Sequence, residues 1–162
     1  MKRKTAIQSY VVNLKDYTKL SEISKGGFGQ VFLVQKKDDQ KQYAAKVSFP
    51  QRNSTDHDKY LSREIGILIR VQAPTIIRFY GFSFDDFRGN PNPTIIMKYY
   101  KNGSLRRLIE QEQNGECPAE YNNTTKQIIL CGIAHGMMTL HSNRVLHRDL
   151  KSDNILLDEN YH

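Results

Sequence analysis

Over the first hundred positions apolar residues come in short blocks, interrupted by one helical run at 60–71; beyond them they recur mainly at helical spacing. From Tyr17 the blocks at 20–24, 30–34 and 42–48 have the alternating, β-rich character of strands. A glycine-rich turn separates the first two, and the polar 36–41 separates the second from the third. These predict a three-stranded antiparallel unit. Residues 60–71 place Leu61, Ile65, Leu68 and Ile69 near one helical face, and Pro74 stops the run. Thr55 and Asp58 ahead of it have capping-box-like spacing. Two further strands are expected at 76–84 and 94–100, joined by the turn-rich 85–93. Ser104 is placed to cap a short helix at 105–111. The longest helix is expected at 124–141, with Ile128, Ile129, Ile133, Met137 and Leu140 as its apolar stripe and Asn143 as a left-handed stop. The segment 1–16 is polar apart from Tyr10, Val11 and Val12, and reads as a leader.

This pattern gives an α+β chain: a leader at 1–16, a five-stranded lobe with one helix at 17–100, and a mainly helical part at 101–162. Composition changes the picture little. Hydrophobic residues at 38% and charged residues at 25% suit a soluble globular protein. No apolar run approaches the ~20 residues a membrane helix needs. The basic start at Lys2, Arg3 and Lys4 has no apolar segment behind it, which argues against a secretory signal. Cys117 and Cys131 lack metal spacing and suggest no disulfide framework, so a reducing setting, cytoplasmic or nuclear, is the default. The net charge of +7 is spread along the chain instead of forming one tract, which argues against nucleic acid as the main partner.

The densest chemistry lies at 145–157, Val-Leu-His-Arg-Asp-Leu-Lys-Ser-Asp-Asn-Ile-Leu-Leu. The apolar runs at its two ends, 145–146 and 155–157, predict short buried strands holding a polar loop. Asp149 can take a proton from a hydroxyl, Lys151 can neutralise a phosphoryl oxygen, and Asn154 can offer a carbonyl oxygen to a hard cation. Asp153 and Asp158 are further carboxylates; Asp158 reads as turn chemistry. Upstream, Gly26, Gly27 and Gly29 surround Phe28 at a strand reversal, where backbone N–H groups can approach phosphate closely. Alone, such a hairpin is equally a plain turn. Lys46 on the returning strand calls for a counter-charge, since a buried unpaired lysine is costly. Glu64 on the following helix is the obvious one.

The spacing His-Arg-Asp-Leu-Lys-x-x-Asn matches the protein-kinase catalytic loop, and on these residues the chain resembles a protein kinase. The resemblance implies a kinase fold: a complete five-stranded N-lobe with one helix and the first part of the C-lobe. It implies ATP and Mg2+ as cofactors and a protein carrying Ser or Thr hydroxyls as substrate. Ser24, Gly26, Gly27, Phe28, Gly29 and Val31 fall on the glycine-rich loop, with Ser24 where the family has its first glycine. Lys46 and Glu64 fall on the lysine–glutamate pair, in which the lysine also holds the α- and β-phosphates. Met97 falls on the gatekeeper, Lys98 and Tyr100 on hinge positions that bond adenine through their backbones. Val31, Ala44 and Leu156 fall on the walls of the adenine pocket. Asp149 is implied as the catalytic base, Lys151 as the phosphoryl stabiliser and Asn154 as a magnesium ligand. His147 and Arg148 are implied as scaffold. Lys151 two places after Asp149, with Phe-Tyr-Gly at 79–81 and Asn-Gly-Ser-Leu at 102–105, points to Ser/Thr specificity and to the tyrosine-kinase-like group.

The triplet Asp-Phe-Gly, the family's second magnesium element, does not occur in the sequence. The resemblance covers about 17–162, roughly the first half of such a domain. Alone, this stretch is therefore expected to be nearly inactive. It is also expected to be marginally stable, because each apolar side chain left in water forfeits roughly 1.5–3 kcal/mol against a total of about 5–15 kcal/mol. The rival expectation is a non-catalytic, pseudokinase-like module that binds nucleotide or partners. A basic nucleic-acid binder, marked by steep salt dependence, is a distant third.

Overall fold

The computed structural model describes residues 7–27, 29–49 and 57–162, with side chains of the first helix described from Leu61 onward. The expected Thr55–Asp58 cap lies outside the described residues. Contacts divide the chain into two compact units, 1–72 with 77–99 and 73–76 with 100–162.

The first unit is built on a five-stranded antiparallel sheet of β1 (Tyr17–Gly26), β2 (Gly29–Lys36), β3 (Gln42–Ser48), β4 (Phe79–Ser83) and β5 (Thr94–Lys98), in the order β1-β2-β3-β5-β4. Helix α1 (His57–Arg70) covers one face. Ile95 and Ile96 are consecutive on β5 and so point to opposite faces; both are fully buried. On the α1 side Ile95 joins Leu61, Ile65, Phe79 and Phe82. On the other side Ile96 joins Tyr17, Val34 and Ala45, with Val12, Leu14 and Phe87 packed against them. The last two strands are shorter than expected. Ile76 is taken by a turn onto the Ala73 carbonyl (3.0 Å), and Phe84 leaves the sheet 57% exposed. After Lys98 the chain leaves β5, and the Tyr100 carbonyl accepts from Gly103 N–H (3.1 Å) to close a turn.

Residues 7–16 belong to the first unit. Val11 bridges Phe82 in parallel: the Val12 N–H donates to the Phe82 carbonyl (2.8 Å) and the Phe82 N–H to the Tyr10 carbonyl (2.9 Å). The outer edge of β4 is thereby paired instead of open.

The second unit contains α2 (Leu105–Gln113) and α3 (Asn123–Ser142) around Leu108, Ile129 and Leu157. Ser104 has the extended backbone of a cap but makes no capping bond with its side chain. The Leu105 N–H goes instead to the Ile155 carbonyl (2.8 Å). Asn122 caps α3, its side chain accepting from the Thr124 and Thr125 N–H groups. At the other end the left-handed residue is Arg144 (φ 58°), not Asn143 (φ −91°). Arg144 N–H donates to His141 and Val145 N–H to Leu140, both at 2.9 Å, which is the Schellman closure shifted one residue onward. Val145 is thus still closing the helix, so the strand expected at 145–146 does not form, and Leu146 is 66% exposed. At 155–157 only Leu157 is buried, and Leu156 makes a single bridge to Ser104. Ile128, expected in the stripe of α3, faces solvent, while Thr125 and Gly136 are buried. No helix among the described residues is long and apolar enough to cross a membrane.

Candidate active site

In the first unit the register decides which side chains share a face. Val31 lies opposite Lys46, Leu33 opposite Ala44, and Ala44 opposite Met97. Since residues two apart point the same way, Val31, Ala44, Lys46 and Met97 line one face, the one α1 covers. Leu61 and Ile65 bury the inner stripe of α1, and Glu64 sits beside Ile65 at the border of that stripe. The Lys46 Nζ meets Glu64 Oε1 at 2.8 Å. Their side chains are 36% and 42% exposed, so the lysine is not the deeply buried charge the strand pattern suggested. At that exposure an ion pair contributes only about 0–1 kcal/mol to stability; its value is to fix the ammonium in place.

The glycine-rich hairpin closes with Gly26 opposite Gly29 and Ser24 opposite Val31. β1 is exposed along its whole length after Tyr17. The three glycines do different things. A Cβ on Gly26 or Gly27 would meet nothing within 4 Å, so glycine there leaves the backbone unshielded. A Cβ on Gly29 would collide with the Val47 carbonyl, so that glycine is required by the pairing of β2 with β3. Phe28 lies outside the described residues. The ladder skips Leu20 and Ile23, and these bulged residues carry their apolar side chains outward, 46% and 45% exposed. Neither was singled out from the sequence; the only signal was an apolar residue just ahead of the turn. Lys98 N–H donates to the Arg78 carbonyl (2.9 Å), so that group is already engaged.

In the second unit the catalytic stretch brings Asp149, Lys151 and Asn154 together. Lys151 Nζ lies 3.0 Å from Asp149 Oδ2. A short 3-10 turn, Ser152–Asn154, folds back so that Asn154 N–H donates to the Lys151 carbonyl (2.9 Å). The Asn154 side-chain amide donates to the Asp149 carbonyl (2.7 Å) and to its Oδ2 (3.0 Å). Arg148 takes a left-handed backbone, φ 64°, a conformation that non-glycine residues hold only when their surroundings fix it. The hydrogen bonds from Lys151, then from Asn154, hold the Asp149 carboxyl below its usual range. The loop is anchored from behind by main-chain bonds, Leu105 N–H to Ile155 and Leu157 N–H to Gly103 (2.9 Å), and by buried Leu157. Main-chain anchors of this kind leave no trace in side-chain patterns. Asp158 accepts the Asn160 and His162 N–H groups (2.9 Å each), which is turn chemistry. Asp153 is exposed in the 3-10 turn. Leu156 and Tyr100 lie in this unit.

No group of three or more His, Cys, Asp or Glu among the described residues could hold a metal ion. The donor set fits a cation of the magnesium kind, which keeps waters and phosphate oxygens as ligands and takes few from protein. Asn154, whose amide nitrogen bonds Asp149 and whose Oδ1 makes none of these bonds, together with the Asp149 carboxylate meets that description.

The protein kinase domain model matches residues 17–162. A serine/threonine-protein kinase 32C of Mus musculus is 31% identical over 152 residues, which is 93% of this chain and 29% of that protein. The serine/threonine-protein kinase fused of Drosophila melanogaster is 32% identical over 146 residues, 90% of this chain and 17% of that protein. A probable serine/threonine protein kinase IRE4 of Arabidopsis thaliana is 31% identical over 153 residues, 93% and 14%. The chain thus spans less than a third of the length of each of these relatives. The matched stretch carries the strand lysine, the helix glutamate and the catalytic loop described above, and the chain belongs to the protein kinase family.

Proposed function

We propose that this chain binds ATP with Mg2+ and supplies the phosphate-holding and hydroxyl-orienting groups of a kinase that phosphorylates Ser or Thr in proteins. The Lys46–Glu64 ion pair, 2.8 Å across strand and helix, carries this reading. It fixes an ammonium on the face lined by Val31, Ala44 and Met97, where it can hold two phosphates of a nucleotide. Gly26 and Gly27 offer unshielded backbone to phosphate oxygens. Bound Mg2+ neutralises phosphate charge, and Asn154 Oδ1 is the protein atom that would hold it. At Lys98 the N–H is committed to Arg78, so an adenine contact there falls to the carbonyl.

Asp149 is held low by Lys151 and Asn154, so at neutral pH it is an anion and a weak base. Its main work is to orient the attacking hydroxyl, with the proton passing to it late, as the leaving oxygen separates. Lys151, on the same carboxylate, is placed to accompany charge onto the phosphoryl group. Relatives that carry the serine/threonine kinase description support the hydroxyl class, and assignment to the tyrosine-kinase-like group is part of the same proposal.

The test is titration of a fluorescent ATP analogue into the chain, with and without Mg2+, for the native sequence, Lys46→Met and Asp149→Asn. Saturable binding that Lys46→Met weakens at least ~10-fold, about 1.4 kcal/mol, and that Asp149→Asn leaves nearly unchanged is expected. Absence of saturable binding in the native chain sinks the reading. Binding by the whole protein without phosphoryl transfer to any Ser- or Thr-containing substrate moves it to the nucleotide-binding module.

A further inference from the structure

The segment 7–16 has no part in the phosphate and hydroxyl chemistry, yet it is fastened to the first unit at several points. Tyr10 and Val12 pair with Phe82 on the edge of β4. Farther along, Asn13 caps a 3-10 turn, Leu14–Asp16, and the Asp16 carbonyl accepts from Lys37 N–H (2.8 Å). The side chains divide between the two faces of the sheet. Ile7 and Tyr10 pack on the cluster that includes Leu61 and Ile65 of α1. Val12 and Leu14 pack on the opposite cluster, against Val34, Ala45 and Ile96. The segment therefore passes around the β4 edge and grips both sides. Gly81 makes room for it: a Cβ there would collide with the Val12 side chain and come within 2.7 Å of the Tyr10 carbonyl.

We infer that residues 7–16 are a positioning clip for α1 and, through it, for Glu64 of the Lys46–Glu64 pair. The Tyr10 ring lies 5.4 Å from that of Phe79, which is packed with Leu61 and Ile65. Ile65 is the residue after Glu64, so whatever fixes its depth in the cluster fixes where the carboxylate points. The ion pair itself is half-exposed and too weak to hold the helix alone. The clip adds apolar contact, from Ile7 and Tyr10, to the cluster that holds Leu61 and Ile65.

The consequence for nucleotide rests on the ATP-binding reading above; the consequence for α1 does not. Three variants of the full chain separate them. Gly81→Ala displaces the clip, Tyr10→Ala removes its ring without touching the backbone, and Tyr10→Phe keeps the ring. Hydrogen exchange of the amides at 61–70 is expected to quicken several-fold in Gly81→Ala and Tyr10→Ala, with α3 unchanged and Tyr10→Phe close to native. ATP-analogue affinity is expected to fall several-fold in Tyr10→Ala, and this loss is expected to vanish in a Glu64→Gln background. Unchanged exchange at 61–70 in both Gly81→Ala and Tyr10→Ala overturns the clip. So does an equal loss of affinity with and without Glu64. A native chain that binds no nucleotide defeats the proposed function, while exchange at α1 still decides the clip.

Discussion

In the first unit the sheet carries a packed cluster on each face, whereas in the second a single cluster of Leu108, Ile129 and Leu157 holds two helices and the catalytic loop. The second unit also leaves Leu130, Met138, Leu146 and Leu150 between 47% and 66% exposed, and the last two flank His147–Asp149 directly. The candidate functional groups of the two units are therefore held by different physics. Lys46 and Glu64 are set by strands and a helix that burial fixes from both sides. Asp149, Lys151 and Asn154 are set by hydrogen bonds among themselves and to nearby backbone, on a surface open to water. Local bonds of that kind define a geometry well but resist loosening less than burial does.

Core truncation should break the comparison most strongly. Phe82→Ala removes a fully buried ring from the cluster that α1 and the sheet share, and about 3–5 kcal/mol of stability should go with it. Leu157→Ala should cost about 2–5 kcal/mol and also release the catalytic loop. Urea unfolding followed by hydrogen exchange in each unit checks both. If Leu157→Ala quickens exchange in β3 as much as in α3, the units do not have separate cores.

The glycines sharpen the contrast within the first unit. Gly29→Ala forces a Cβ onto the Val47 carbonyl and should cost about 1–3 kcal/mol, as overpacking does. Gly27→Ala meets nothing and should leave stability within about 0.5 kcal/mol. Thermal unfolding of the pair separates a glycine kept for packing from one kept for access.

A smaller effect concerns the β4–β5 connection. Burial alone would raise the Asp86 pKa, but bonds from the Asn90 and Asn92 side chains and from the Arg88 and Asn90 N–H groups outweigh it, lowering it from 3.8 to about 2. A carboxyl whose folded value is below its unfolded one stabilises above the unfolded value and stops doing so as pH falls through the folded one. The first unit should therefore lose this contribution between pH of about 4 and 2. Asp86→Asn, which cannot titrate but retains an acceptor, should be less stable than native at pH 7, and the gap should close toward pH 2. Urea midpoints across that range test it; a constant gap removes Asp86 from the acid response. The smallest effect is expected on the exposed face of α3, where Leu130→Lys should change stability by no more than about 0.5 kcal/mol while reducing self-association in sedimentation.

Much of this was legible in the chain. Strands at 42–48 and around the glycine-rich turn follow from β-rich runs bounded by turn residues, and the helix at 61–70 follows from its four apolar positions. The pairing of Lys46 with Glu64 was legible as a strand cation with a carboxylate on the following helix, although the lysine is less buried than its apolar strand suggested. Errors fell where main-chain bonding overrode side-chain pattern. Val145 looks like the start of a strand but spends its N–H on the Leu140 carbonyl. Asn143 looks like the left-handed stop, yet the closure falls on Arg144. Ser104 looks like a cap, yet its side chain makes no capping bond, and the helix start is tied instead through the Leu105 N–H to the Ile155 carbonyl.

Residue types and spacings by themselves determined the strands on either side of the glycine-rich turn, the apolar stripe of α1 and the identity of the polar and charged groups at 46, 64, 149, 151 and 154, because those depend on side-chain chemistry at short range. Tertiary structure alone decided that Tyr10 and Val12 pair with β4 beside Gly81, that Gly29 is a packing glycine, and that Leu157 anchors the catalytic loop through Gly103. Each of these is a contact between backbone groups or clusters far apart in the chain, fixed by which surfaces are left to bury and which N–H and carbonyl groups are left to satisfy.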